Sequence, residues 1–329
     1  MNPGREETVK AAALDVGFSL AGIAGVLPHE KSNETFGRWL NAGMQAEMAY
    51  LVRHRESRAD VRRLFPEARS AVCVALNYYQ EVEREQRDAD GRDGRGVFSV
   101  YVHGKDYHRV MGEMLRRLDD RLRESFPGLR SVACVDTRPV SDREMAIRAG
   151  IGWLGKNSSV ISPGYGSWIF LGELITNLDL EPDAPLDTLC ATCTCCIDAC
   201  PMGALDEPFL VDARKCISYL TIEKRGNIPP ELREGIGLHV FGCDVCQSVC
   251  PHNQVASPSK AFARSDRSGL VDMTLDELSV IADDEFLALT EGSAIRRCKP
   301  EGMRRNAVVS KRNLAFRSGK EREAGKRKT

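Results

Sequence analysis

Residues 190–201 read CATCTCCIDACP, and residues 243–251 read CDVCQSVCP. Nine of the twelve cysteines lie between Cys190 and Cys250. The first stretch contains C-x2-C-x2-C-x3-C-P, in which a tight loop offers three thiolates to one [4Fe–4S] cube and passes a fourth to another. The second has the same ending, Cys243, Cys246, Cys250 and Pro251, but no opening cysteine, because position 240 is Val. One thiolate is therefore missing, and Cys216 is the only other cysteine between the two stretches. The assignment that completes both cubes gives Cys190, Cys193, Cys196 and Cys250 to one. Cys200, Cys216, Cys243 and Cys246 serve the other, and Cys195 is left over. Paired C-x2-C units also suit tetrahedral zinc, but zinc does not require two C-x3-C-P endings. A disulfide framework suits small secreted chains, whereas this one is large and begins with no signal peptide.

With 329 residues, 42% of them apolar, the chain can build one sizeable core and one or two smaller units. No apolar run approaches the ~20 residues a bilayer span needs, so no membrane partner is expected. The amino terminus carries acidic residues and no twin-arginine export signal. A cytoplasmic location is expected, in keeping with oxygen-sensitive clusters and reduced thiols. The formal charge of −1 hides an asymmetry: from Arg296 onward there are thirteen Lys or Arg against three Glu. An acidic body with a basic end suits contact with nucleic-acid phosphates. For the last dozen residues a solvated, disordered tail is the simpler expectation.

Along the first 185 residues helical and strand-like patterns alternate. Residues 7–17 suggest a helix, 20–26 a strand, 34–53 a helix broken at glycine, and 70–79 a buried strand. The segment REQRDADGRDGRG (84–96) has the composition of a disordered insertion. Over 105–126, Tyr107, Val110, Met111, Met114, Leu115, Leu118 and Leu122 fall on one helical face. A strand over 131–135 ends at Asp136, Asp142 is placed to cap a following helix, and Gly150 and Gly152 stop it. Residues 159–176 suggest a hairpin with a Pro-Gly turn. Residues 274–289 and 291–316 suggest two or three amphipathic helices. The fold class is α/β (α+β), with a two-[4Fe–4S] ferredoxin-like module and a short helical carboxy-terminal region. The expected divisions are 1–185 catalytic, 186–255 double-cluster, 256–315 helical and 316–329 basic tail.

Asp136 stands at the exit of a buried strand. Desolvation there raises a carboxyl pKa and suits a general acid; a turn-capping aspartate accounts for the position equally well. The surrounding residues carry more. CVDTRPVSDREMAIRAGIGWLGKNS (134–158) resembles the signature of the epoxyqueuosine reductase family. So do YVHGKDYH (101–108), CTCCIDACPMGAL (193–205), CISYLTIE (216–223) and FGCDVCQSVCPHN (241–253). The similarity runs almost end to end, from MAYLVRHRESRADVRRLFPEARS (48–70) to GSAIRRCKPEGMRRNA (292–307).

The resemblance implies a cobalamin-dependent enzyme with two [4Fe–4S] clusters. Such enzymes reduce epoxyqueuosine, at the anticodon wobble position of tRNA, to queuosine. It makes Asp136 the proton donor and the eight cysteines above the cluster ligands. It implies cobalamin contacts at Arg58, Ser99 or Tyr101, Asp136, the Lys156–Asn157 loop, Ser218 and the backbone at Cys243–Asp244. It places Arg296, Arg297, Arg304, Arg305 and Asn306 at the start of the tRNA-facing helices; a solvated helix face explains them as well. An external low-potential donor of flavodoxin or ferredoxin type and a monomeric state are expected. The corrinoid-binding D-x-H-x-x-G pattern is absent, since Gly237 precedes His239 and Gly242. His103, His108, His239 and His252 are therefore expected to be structural. Val100 stands where the family commonly has arginine, and the carboxy-terminal region is short where longer members continue into HEAT-like repeats. Two other classes fit parts of the pattern, a cobalamin-dependent reductive dehalogenase and a non-catalytic ferredoxin-type electron carrier.

Overall fold

The structure, a computed structural model, describes residues 4–81, 93–262 and 268–326, with side chains to residue 317. Most of the insertion at 84–96 lies outside the described residues. Eight strands are present among them: β1 (Leu20–Gly25), β2 (Ser70–Asn77), β3 (Val97–Phe98), β4 (Ser131–Cys134), β5 (Trp153–Leu154), β6 (Val160–Ile161), β7 (Ile169–Thr176) and β8 (His239–Phe241). The main sheet has the order β1-β2-β7-β4, with every pair antiparallel. This is the α+β form of the expected fold class.

Side-chain size alternates along β2 and divides the core. Val72, Val74 and Leu76 pack with Ile23, Phe170 and Leu174 beneath α1 (Arg5–Val16) and α2 (Tyr107–Ser125). The α2 stripe of Met111, Met114, Leu115, Leu118 and Leu122 is buried there as its periodicity predicts. Each such side chain contributes on the order of 1.5–3 kcal/mol by leaving water. On the opposite face Ala71, Cys73 and Ala75 meet Ala24, Cys134 and Ile175. These small residues let α3 (Asp142–Arg148) press close, with Met145, Ala146 and Ala149 in the same cluster. At Gly22 a methyl group would fall 2.0 Å from the Ala149 carbonyl oxygen.

Two local expectations are corrected. The chain does turn at Pro163–Gly164, where the Ser162 and Gly166 backbones bridge. The flanking strands do not pair, however: β6 joins β5, while β7 is drawn between β2 and β4. Eight ladder positions on β2 outcompete a short hairpin. Asp142 is also not the cap. Ser141 holds the cap position, and Asp142 is the first residue of α3 with its carboxyl turned into the core.

The cysteine-rich segment is fastened to this sheet domain. β3 and β8 pair in parallel, and the Asn77 amide and Tyr79 carbonyl bond the backbone at Ser257 and Ser259. Beyond it, α4 (Leu275–Val280), α5 (Asp283–Leu289) and α6 (Lys299–Lys326) form the carboxy-terminal unit. α6 continues through 316–326, where an unstructured tail was expected. Once its first turns are docked, nucleation costs nothing further and Arg, Lys, Glu and Ala propagate it. No helix among the described residues is long and apolar enough to cross a membrane.

Gly22→Ala should destabilise the protein by about 1–3 kcal/mol, through overpacking against Ala149. A lowered midpoint in denaturation of the cluster-loaded protein checks it.

Candidate active site and cysteine pockets

β4 delivers the chain to Asp136 and the backbone then reverses sharply. The Thr137 amide bonds the Val135 carbonyl across Asp136, which adopts φ +48°. A three-residue turn with positive φ is strained for a non-glycine residue, and such strain is held at functional sites by its surroundings. Here the surroundings are side-chain bonds. The Tyr107 hydroxyl donates to Asp136 Oδ2 at 2.9 Å, and His108 Nε2 lies 3.1 Å from the same oxygen. His108 Nδ1 is 2.8 Å from Asp106 Oδ1. Tyr107 is stacked between His108 and Phe170, with centroid separations of 4.0 and 4.3 Å. The Asp136 side chain remains 61% exposed, so the carboxyl faces an open cleft.

The electrostatics differ from the sequence expectation. Desolvation does work to raise the Asp136 pKa, but bonds from His108 and Tyr107 and the charges of His108 and Arg58 outweigh it. They hold the carboxyl below its ordinary value. At rest Asp136 is a carboxylate, not a loaded acid. His108 is the protonated partner. Burial disfavours its charge, but bonding to Asp106 and Asp136, with their negative charges, pushes it up to about 9. His108, expected to be structural, therefore belongs to the site. The DYH segment that brings it there begins α2, where Asp106 caps the helix.

The cysteines gather in two neighbourhoods. Cys190, Cys193, Cys196 and Cys250 line one pocket, together with Cys195, Lys156, Asn157 and His252. Two donors near these thiols, Trp153 Nε1 and Asn157 Nδ2, are buried with no partner. Such donors suit the acceptor-rich sulfides of a cube. In the second neighbourhood Cys200 acts on Cys216, and both act on Cys243; Cys216 and Cys243 act on Cys246. Burial pushes the Cys243 thiol up to about 12, a charge cost that iron ligation would offset. Cys216 enters as the residue before the helix Ile217–Ile222.

The second neighbourhood adjoins the Asp136 cleft. Asp244, next to Cys243, accepts from Ser99 Oγ at 2.6 Å and from the Val100 amide at 2.8 Å. Tyr101 then packs edge-on to Tyr107 and against Phe241.

Comparison with known proteins agrees with this arrangement. A family model described as "4Fe-4S double cluster binding domain" matches residues 189–253. Another, "Epoxyqueuosine reductase QueG, DUF1730", matches residues 58–137. An epoxyqueuosine reductase of Gloeobacter violaceus is 43% identical over 309 residues, covering 91% of this chain and 93% of its own. One from Synechocystis sp. is 40% identical over 293 residues, covering 88% and 99%. The chain belongs to the epoxyqueuosine reductase family.

Solved structures of the family superimpose closely. An epoxyqueuosine reductase with an epoxyqueuosine-modified tRNA-Tyr stem loop matches at TM-score 0.84 and 32% identity, over 94% of this chain and 81% of that one. A Bacillus subtilis epoxyqueuosine reductase, its catalytic aspartate loop swung out of the active site, matches at TM-score 0.84, 31% identity and the same coverage.

Against this frame of an epoxyqueuosine reductase, the expected contact residues divide. Arg58 reaches the Asp136 loop, donating to the Val140 carbonyl at 2.5 Å, and its Nε is buried without a partner. Ser218 lies against the Cys243 carbonyl. Ser99 is spent on Asp244. Lys156 is turned to the cysteine pocket: its ammonium bonds the Ala191 and Cys193 carbonyls, and Asn157 lines the same pocket. Among the residues expected to face tRNA, Asn306 is fully buried and bonds the Thr221 and Val240 carbonyls. Arg305 clamps the Leu220, Lys224 and Gly226 carbonyls at 2.7 Å each, and Arg304 holds Ile281 and Asp283. These three fasten α6 to the rest of the protein. Arg296 and Arg297 are exposed. Arg297 pairs with Glu223 and lies within electrostatic reach of Asp136 and of the Tyr50 hydroxyl, which puts it at the rim of the cleft.

Because the His108 pKa is raised, its contribution to stability is complete below pH 6.5, the ordinary histidine value, and is lost as pH rises through about 9. Asp136→Asn should lower the His108 pKa from about 9, read by proton NMR titration of its imidazole.

Proposed function

We propose that the chain reduces epoxyqueuosine in tRNA to queuosine, converting an epoxide to an alkene and water with two electrons and two protons. The observation that carries this is a juxtaposition. An open cleft holds a strained aspartate between tyrosine and imidazolium, and its wall leads through Tyr101 and Asp244 to the second group of thiols.

The cluster ligands are Cys190, Cys193, Cys196 and Cys250 for one cube and Cys200, Cys216, Cys243 and Cys246 for the other. The first cube, beside exposed Cys195, would be the one to take electrons from an external low-potential donor of flavodoxin or ferredoxin type. The second lies nearer the cleft. Cobalamin, when bound, supplies the two-electron transfer to the epoxide carbon. Arg58, Tyr101, Ser218 and the backbone at Cys243–Asp244 would hold it, and the unpartnered Arg58 Nε fits a corrinoid amide.

The chain's own groups manage the proton. Asp136 rests ionised beside the His108 imidazolium. A substrate that excludes water from the cleft strengthens desolvation of the carboxylate and draws the proton from His108 Nε2 to Asp136. Asp136 then protonates the opening oxygen and, reprotonated from solvent through His108, gives the second proton as that oxygen leaves as water; Tyr107 keeps its hydroxyl proton because burial and the Asp136 charge push its pKa far up. The relative whose catalytic aspartate loop swings out supports a role for a residue on so strained a turn. The relative bound to a modified stem loop supports tRNA as partner. The basic rim at Arg296 and Arg297 would grip phosphates near the anticodon, from which the base must be extruded. The enzyme works as a cytoplasmic monomer.

Asp136→Asn should lower turnover by about 10²–10⁴-fold while iron stays at about eight atoms per chain, and Cys216→Ser should halve the iron. Full turnover in the first, or undiminished iron in the second, removes the role assigned. Arg296→Ala/Arg297→Ala should weaken tRNA binding and flatten its salt dependence by about two phosphate contacts, measured by fluorescence anisotropy across a salt series.

A further inference from the structure

Behind the Asp136 loop lies a second acidic group that the reaction above does not use. Glu173 sits mid-way along β7 and is fully buried. Its ladder neighbours are Cys73 on β2 and Cys134 on β4, both also fully buried. No donor on any other residue reaches either Glu173 oxygen or the buried Asp142 Oδ1. The two carboxyls are close enough to act on each other, and a bond between them forms once one carries a proton. A bond between carboxyls requires a proton on one of them, since two carboxylates in a dry core repel.

The charged and titratable groups around the pair leave it without an ion-pair partner. Arg58 acts on both carboxyls, but its Nη1 is given to the Val140 carbonyl. Arg143, adjacent on α3, is given to the Ser158 carbonyl at 2.5 Å. Cys73 and Cys134 are neutral thiols pushed upward by burial. Arg148 and Asp183 act on Cys73 from α3 and from the chain beyond β7, and Asp136 acts on both carboxyls.

The placement has a geometric consequence. Cys134, where the Asp136 loop begins, is the cross-strand neighbour of Glu173, and the carboxyl of Asp142, where the loop ends, acts on it from α3. Both ends of the segment carrying Asp136 therefore abut one side chain. We propose that Glu173 is a positioning residue, a proton-bearing clasp that joins the two ends of the Asp136 loop and holds the proton donor in its strained, productive turn. Burial pushes Glu173 well above the ordinary carboxyl range and Asp142 to about 6. The sign follows: the folded state keeps a proton that the unfolded chain has released, so the clasp is closed at neutral pH and opens as pH rises and the bridge is lost.

The kinetic arm of a test rests on Asp136 being the proton donor; the loop arm does not. In the cluster-loaded protein, hydrogen–deuterium exchange of residues 135–141 is followed across pH after correction for intrinsic rates, beside single-turnover kinetics. Wild type should show protection that fails at alkaline pH. Glu173→Gln, whose amide donates to the Asp142 carboxylate without titrating, should keep turnover within about threefold at neutral pH, and its loop protection should persist to higher pH. Glu173→Ala should lose loop protection at every pH and at least tenfold in kcat, with KM for tRNA unchanged. A buried protonated-carboxyl infrared band should be present in wild type and absent from Glu173→Gln. The proposal is overturned if Glu173→Gln loses protection as alanine does, if its protection fails at the wild-type pH, or if the infrared band is missing from wild type. Loop protection that follows these expectations while kcat does not would leave the clasp standing and remove Asp136 from the chemistry.

Discussion

The close approach of α3 to the main sheet is the constraint on which the site depends. A helix can lie this near a strand pair only where side chains are small, and β1 and β2 supply Gly22, Ala24, Ala71, Cys73 and Ala75 on that face. The bulky residues of the same strands point to the other side, under α1 and α2. With α3 so placed, the segment from Cys134 to Asp142 has only seven intervening residues in which to leave the sheet, reverse and enter the helix. Asp136 takes the strain of that reversal, and its carboxyl is thrown outward to Tyr107 and His108. Packing on one face of the sheet thus sets the chemistry at its edge.

The cysteine pockets obey a different rule, set by chain connectivity. Two loops with similar spacing can complete two cubes only if thiolates are exchanged between them and one more is recruited from elsewhere. Cys250 crosses to the pocket of Cys190, Cys193 and Cys196. Cys200 and Cys216 cross to that of Cys243 and Cys246. This exchange ties residues 190–250 into one body, and β3 pairing with β8 ties that body to the sheet domain. The Ser99–Asp244 bond is the outcome: a buried acid beside one thiol braces the wall of the cleft.

The parts legible in the sequence were those with a strong local signal. Cysteine spacing marked the cluster module, and the stripe from Met111 to Leu122 marked α2 before any tertiary contact was known. Size alternation in SAVCVALN also held the two faces of β2, a signal that the buried-strand reading left unused, since its small residues are the surface on which α3 rests. What stayed hidden depended on contacts between distant segments. β7 left its hairpin partner because β2 and β4 offered longer ladders, which no local turn signal reveals. Arg304, Arg305 and Asn306 look like a phosphate-binding patch in one dimension, yet their targets are carbonyls tens of residues away.

The direction of the Asp136 shift was the deepest miss, and it is instructive physically. Burial alone argues for a raised carboxyl pKa, and burial was all that a strand exit implied. The opposing partners, Tyr107 and His108, come from a helix about thirty residues earlier, and their bonds outweigh desolvation. The proton that a general acid requires is then stored on imidazole instead of carboxyl. Such a division suits an enzyme whose cleft must stay hydrated until a nucleic acid arrives. An acid held neutral by permanent burial would need a dry pocket, closed to an extruded base. In the mechanism proposed above, an ionised aspartate beside an imidazolium tolerates water at rest and becomes a donor when substrate displaces it. The open cleft and the low resting pKa are therefore two consequences of one requirement, access for a large polyanionic substrate.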